Sequence, residues 1–95
     1  MFIVSLTYTA ALDEVDKHLE AHVAYLKQEY AEGSFVASGR KIPRTGGIIL
    51  SCMKNREELD AVIARDPFHK AGVAEYDITE FVPGMVAEGF EILKK

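Results

Sequence analysis

An α+β fold with the element order β-α-β-β-α-β is predicted by three features of the 95-residue sequence. Phe2 to Tyr8 is a continuous apolar, β-prone run. Two later segments carry apolar residues at helical spacing, one from Val15 to Tyr30 and one from Leu59 to Ile63. Turn residues at Gly33, Pro43–Gly47, Asp66–Pro67 and Pro83–Gly84 separate these segments from further β-prone stretches.

Each element follows from its residues. Phe2 to Tyr8 has the composition of a strand covered on both faces. Asp13 is placed to cap a helix, with Glu14 and Asp16 in its first turn, where acidic side chains favour the helix dipole. Val15, Leu19, Val23, Leu26 and Tyr30 form its buried stripe, and Gly33 stops it. Ser34 to Ile42 reads as a strand, Pro43 to Gly47 as a turn, and Ile48 to Cys52 as the returning strand. Asn55 is the expected cap of a second helix with Leu59, Val62 and Ile63 buried. It ends at Asp66–Pro67, because the residue before proline is pushed out of helical geometry. Tyr76 to Val82 alternates as a fourth strand, and Met85 to Leu93 is predicted to form a short terminal helix.

This order is the split βαβ arrangement of ferredoxin-like folds, a four-stranded antiparallel sheet with both helices on one face. The other face is left uncovered, and Phe2 to Tyr8 offers few polar positions for a solvated one. A homodimer is therefore expected, with the open faces paired into a dimeric α+β barrel. The whole chain, 1–95, is expected to be one domain, with its core in 2–82 and a C-terminal extension in 83–95.

Composition narrows the function. Hydrophobic residues make up 48% of the chain and charged residues 27%, an ordinary globular mix. Fifteen acidic residues against eleven basic ones argue against nucleic acid as a partner, since phosphate neutralisation needs a basic surface. No run approaches the ~20 apolar residues of a membrane span. The single cysteine, Cys52, and a first segment without a basic signal region lead us to expect a cytoplasmic protein.

Three places carry candidate chemistry. His22 falls on the helical wheel beside Val15, Leu19 and Leu26, at the edge of the buried stripe, where it is either a structural histidine or an acid–base group. Asp66 continues the Leu59–Val62–Ile63 stripe, so its carboxylate points inward at the end of a helix, against both burial and dipole. Two environments satisfy such a group: the backbone N–H groups of the turn at Pro67–Phe68, or a donor on the other helix, of which His22 is the candidate. The third place is Arg40-Lys41-Ile42-Pro43-Arg44-Thr45-Gly46-Gly47, which gathers three of the eleven basic residues. Lys41 and Arg44 are explained by a solvated hairpin; Arg40, following Ser38–Gly39, is placed to hold a carboxylate or phenolate. Cys52 reads as a small hydrophobe and His69 as a loop-surface residue. His18 and His22 have metal-ligand spacing without a third ligand, so no metal is expected.

Taken together, His22-Val23-Ala24-Tyr25-Leu26, Ser38-Gly39-Arg40-Lys41-Ile42-Pro43-Arg44-Thr45-Gly46-Gly47 and Asp66-Pro67-Phe68-His69 make a pattern. By it the chain, from Phe2 to Val82, resembles the YCII-related (YciI-like) family of small dimeric α+β barrel proteins. The resemblance implies a homodimer with a cleft in each subunit and a catalytic dyad at the positions of His22 and Asp66. Some relatives eliminate halide from halogenated hydroxylated aromatics. The chain departs from the family pattern at Leu19, where many members have an arginine, and at Gly39–Arg40, where many have Gly-Pro. Either an arginine has moved from helix to strand, or the ligand differs.

The expectation is a small-molecule enzyme, a lyase or hydrolase needing no cofactor, acting on a small anionic or hydroxylated substrate. His22 moves the proton, Asp66 orients it, and Arg40 and Ser38 hold an anionic oxygen. The alternative is a non-catalytic dimeric module that captures a small ligand through Arg40 and aromatic side chains such as Tyr8 and Phe68. A haem-degrading barrel of the same architecture fits less well, because no histidine marks an axial ligand.

Overall fold

The computed structural model describes residues 1–94, with Lys95 outside the described residues. Its elements are β1 (Phe2–Tyr8), α1 (Leu12–Asp16), α2 (Leu19–Ala31), β2 (Ala37–Arg40), β3 (Gly46–Ser51), α3 (Arg56–Ala64), α4 (Pro67–Ala71), β4 (Ala74–Glu80) and a short 3-10 helix (Glu91–Lys94). The strands form one antiparallel sheet in the order β2-β3-β1-β4, which is the ferredoxin-like arrangement.

Alternation along the strands separates two faces. Phe2, Val4 and Leu6 of β1 are buried against the helices with Ile49 and Ser51 of β3, while Ile3, Ser5 and Thr7 point to the other side. Leu59, Val62 and Ile63 of α3, Phe68 of α4 and Val15 of α1 complete the core from the helical side. Asn55 caps α3 as expected, its side-chain oxygen accepting the Glu58 N–H at 3.0 Å.

The first helical segment departs from expectation in both start and phase. Ala11, not Asp13, occupies the N-cap, and the helix breaks at Lys17–His18 into α1 and α2. The residues turned inward are Val15, His22 and Glu29, seven apart, whereas Leu19, Val23 and Tyr30 of the expected stripe stay partly exposed. His22 has its carboxylate partner on the α3–α4 side, and Glu29, seven residues on, is carried to the same side, where its Oε1 is buried without a hydrogen-bond partner. Glu29 is 2% exposed and accepts a hydrogen bond from Arg65 at 3.2 Å.

Other boundaries are shorter than the sequence suggests. Paired structure in the second strand covers only Ala37–Arg40, and Gly46 and Gly47 belong to β3 rather than to the turn. Gly46 is required there. A Cβ at this position would sit 1.8 Å from the Leu6 carbonyl oxygen of β1. The predicted terminal helix over Met85 to Leu93 is absent, because Gly89 takes a φ of 92° and interrupts it, leaving the 3-10 turn at Glu91–Lys94. After β4 the chain is tied to the N-terminus, the Phe81 N–H donating to the Met1 carbonyl at 2.9 Å. It then runs along the open side of the sheet as a strap, bordering a shallow, open apolar hollow of about 390 Å³ with Ile3 and Leu50.

Gly46→Ala is expected to lower the melting temperature by about 5 °C or more, as overpacking of a domain this size does. Gly39→Ala, where an added Cβ meets nothing within 4 Å, should leave it within about 2 °C. Thermal unfolding followed by circular dichroism checks the pair; equal effects would refute the close approach of β1 and β3 at Gly46.

Candidate active site

The register of the sheet lays out the site. On the helix-facing side, Arg40, Gly47, Leu6 and Tyr76 occupy one row across all the strands, and Ser38, Ile49, Val4 and Ile78 the next. Neither helix covers the β2 end of these rows, so Ser38 and Arg40 remain exposed. A cavity of about 520 Å³ opens there between α2 and the sheet. Leu19, Val23 and Leu26 line one wall, Gly47 and Ile49 the other, with Tyr8, Arg40 and Arg44 also on its lining. Gly47 contributes no side chain, which leaves room beside His22 and Phe68.

His22 and Asp66 meet. The His22 Nδ1 lies 2.7 Å from Asp66 Oδ1, and Asp66 is fully buried. The same oxygen accepts the Phe68 N–H at 2.9 Å, so Asp66 also caps α4, with Pro67 at its first position. Both environments weighed from the sequence are therefore occupied at once. The carboxylate does not oppose a helix dipole as expected; it sits at the start of α4, where negative charge is favoured. The His22 ring stacks on Phe68, with centroids 3.9 Å apart and planes within 7°.

Tyr76 escaped the sequence reading as a site residue. Its hydroxyl donates to Asp66 Oδ2 at 2.6 Å, from the inward face of β4. The inward position was legible from strand alternation, but the partner lies ten residues away, across a turn and a helix. Burial, reinforced by the hydrogen bond to Asp66 and its charge, pushes the Tyr76 phenol far above the usual tyrosine range. Burial and the charges of Asp66 and Glu29 do the same for Tyr25, whose hydroxyl donates to the Val62 carbonyl at 2.8 Å.

The basic segment is rearranged relative to expectation. Arg44 is more than a solvated hairpin charge: it lines the cavity, pairs with Asp16 Oδ1 at 2.6 Å, and lies over the Tyr8 ring with its carbon 5.8 Å from the centroid. Arg40 lines the same cavity and forms no ion pair among the described residues. Ser38 also lines it, its hydroxyl hydrogen-bonded to that of Tyr30. Lys41 faces the other side of the sheet, where it donates to Thr7 Oγ1 at 3.2 Å. His69 lies on α4 rather than a loop, against the Tyr76 ring at 5.3 Å. His18 is at the exposed start of α2. No cluster of three or more His, Cys, Asp or Glu side chains suited to a metal ion occurs among the described residues.

Two outcomes follow from this network. Asp66→Ala leaves the His22, Phe68 and Tyr76 donors without their acceptor, and is expected to cost about 3 kcal/mol or more in urea unfolding. The raised tyrosines set an alkaline limit. Above pH ~10 the unfolded chain loses phenolic protons that the folded chain retains, so stability falls as pH rises. Tyr76→Phe should make that fall shallower, as read from urea midpoints across pH 9–11; an unchanged slope would refute the retention of the Tyr76 proton.

Comparison with known proteins places the chain. Among curated proteins none matches it. In structure it is similar to 5-chloro-2-hydroxyhydroquinone dehydrochlorinase from Burkholderia phenoliruptrix AC1100, solved in complex with 2,5-dihydroxybenzoquinone. The identity is 20%, the TM-score 0.72, and the match covers 88% of this chain and 96% of that one. The family model of the YCII-related domain matches residues 1–82, all four strands included. The chain belongs to the YCII-related family.

Proposed function

We propose that the protein is a small-molecule enzyme whose acid–base group is His22, working by elimination or hydrolysis on a small, planar, hydroxylated or anionic substrate. The single observation that carries this reading is the His22–Asp66 pair, one ring nitrogen tied to a buried carboxylate and the ring on the wall of an open cavity. With Nδ1 donating to Asp66, Nε2 keeps its lone pair. It takes a proton from a substrate hydroxyl, and Asp66 stabilises the imidazolium that forms. The oxyanion left behind pairs with Arg40, and Arg44 adds positive charge on the same cavity. In elimination the imidazolium gives that proton to the ring carbon that bears the leaving group as the oxyanion closes to a carbonyl. A second hydroxyl then loses its proton as the leaving group departs with its bonding pair. In hydrolysis His22 instead takes the proton of the attacking water and gives it to the departing group. Every role in this scheme is filled by a side chain, so it calls for no cofactor.

The ligand class has two supports. The cavity is walled by aliphatic side chains and the Phe68–His22 stack, which favour a flat ring, and its charges are basic. The similar dehydrochlorinase binds 2,5-dihydroxybenzoquinone, a ligand of that description. We further propose that the protein acts in the cytoplasm, consistent with its lone free thiol at Cys52, and as a homodimer joined through the open sheet face.

The reading is tested with hydroxylated and halogenated phenols, following turnover by proton and halide release and binding of 2,5-dihydroxybenzoquinone by absorbance. His22→Ala is expected to lower kcat by about 10²-fold or more while the ring still binds. Arg40→Ala should weaken binding about tenfold. Binding by the wild type with no turnover of any such phenol would assign the protein to non-catalytic ligand capture instead.

A further inference from the structure

Three donors reach Asp66, and they differ in where they stand. His22 and Phe68 line the cavity, whereas Tyr76 does not. Leu6 lies between Tyr76 and Gly47 in the row that leads to the cavity. From there the Tyr76 hydroxyl reaches the carboxylate oxygen turned away from His22, Oδ2, at 2.6 Å. Any part that Tyr76 plays in the chemistry therefore passes through Asp66 and His22.

We propose that Tyr76 is a positioning residue that sets the proton affinity of His22. Its hydrogen bond weakens the hold of Asp66 on an imidazolium, so the ring stays neutral to a lower pH than the pair alone would allow. The proposal rests on the acid–base reading of His22 and adds what tunes that group.

The balance is one of charge at a place closed to solvent, for Asp66 has no exposed surface. With His22 neutral, the pair carries one bare negative charge; with His22 protonated, the two charges cancel. A further donor to the carboxylate favours the first state more, because an imidazolium already neutralises the anion. Tyr76 is placed to be that donor. His22 and the Phe68 N–H both bond Oδ1, and Tyr76 alone among the described residues bonds Oδ2. Burial and the Asp66 charge keep its own proton on, far above the usual tyrosine range. Held at Oδ2 from β4 and at Oδ1 from α4, the carboxylate also keeps Oδ1 aimed at His22.

Other groups bear on the ring without touching this bond. Tyr8 of β1, Arg40 of β2 and Arg44 of the hairpin share the cavity with His22, and Arg44 is paired with Asp16. On α2, His18 lies one turn before His22, Tyr25 tilts against the ring, and Glu29 is one turn further on, held by Arg65 beyond α3. His69 of α4 packs on the Tyr76 ring. All of these stay in place when only the Tyr76 hydroxyl is altered.

The test alters that hydroxyl and needs no substrate. Tyr76→Phe keeps the ring and leaves a gap too small for water. NMR of ring-labelled histidine follows the His22 titration, assigned among the three histidines with His22→Gln. In Tyr76→Phe it is expected to move up by about half a pH unit or more. Tyr76→3-fluorotyrosine, a more acidic phenol and a stronger donor, is expected to move it down. A merely structural role would not reverse sign between the two. If circular dichroism shows Tyr76→Phe unfolded, the downward shift in the fluorinated protein decides. A titration that stays in place, or moves the same way in both variants, would overturn the tuning and leave the acid–base reading standing. Opposite shifts in a protein that turns over no phenol would support the tuning and overturn the acid–base reading.

Discussion

The carboxylate of Asp66 is the group on which the arrangement of the site depends. A bare charge with no access to water costs several kcal/mol, and the chain meets that cost with donors from separate elements. His22 comes from α2, the Phe68 N–H from the first turn of α4, and Tyr76 from β4. Each donor is fixed by the element it sits on, so the carboxylate ties the first helical segment, the second, and an outer strand of the sheet to one point. The same bond settles the imidazole. An ionised carboxylate oxygen only accepts, so Nδ1 is the ring nitrogen committed to it and Nε2 is the one left without a carboxylate partner.

Satisfying that carboxylate dictates how α2 is turned. Directing His22 and Glu29 inward leaves Leu19 and Val23 partly in water, although each would gain roughly 1.5–3 kcal/mol from full burial. Those side chains, together with Leu26, become the wall of the cavity. Part of the hydrophobic surface that folding leaves unused thereby lines the cavity, directly beside the His22 ring. Arg40 follows the same logic on the opposite wall. It belongs to the row of Gly47, Leu6 and Tyr76, but no helix covers its end of the row, and the guanidinium remains free of ion pairs among the described residues.

What the sequence reveals of this, and what it hides, divides by the range of the interaction. The order of elements along the chain, the Asn55 cap and the inward aim of Asp66 depend on neighbours a few residues away, and periodicity with turn chemistry exposes them. His22 and Asp66 are each suspicious alone, and the fold supplies the reason they meet. The phase of α2 is a different matter. An apolar stripe through Leu19, Val23 and Tyr30 is the natural reading of the spacing, and only the tertiary partner of His22, at Asp66, overrules it. Tyr76 was legible as an inward strand residue but not as a donor, since nothing local records what lies across the sheet. Gly46 and Gly47 look like loop glycines because glycine in a strand is unfavourable. The close pass of the Leu6 carbonyl is a backbone fact that no composition carries.

Alternation along a strand gives one short sheet two different tasks. In β3, Gly47 and Ile49 face the helices and line the cavity, while Leu50 between the sheet and the strap faces away. In β2, Arg40 turns toward the cavity and the adjacent Lys41 toward Thr7 on the other face. A slip of one residue in either strand would exchange the two sets, placing Lys41 at the site and Arg40 on the open face. The register is held by the burial of Phe2, Val4 and Leu6, of which only Leu6 also reaches the cavity lining. Those core residues therefore carry an indirect functional load: by fixing which way each neighbour points, they assign one basic residue to the cavity and the next to the open face.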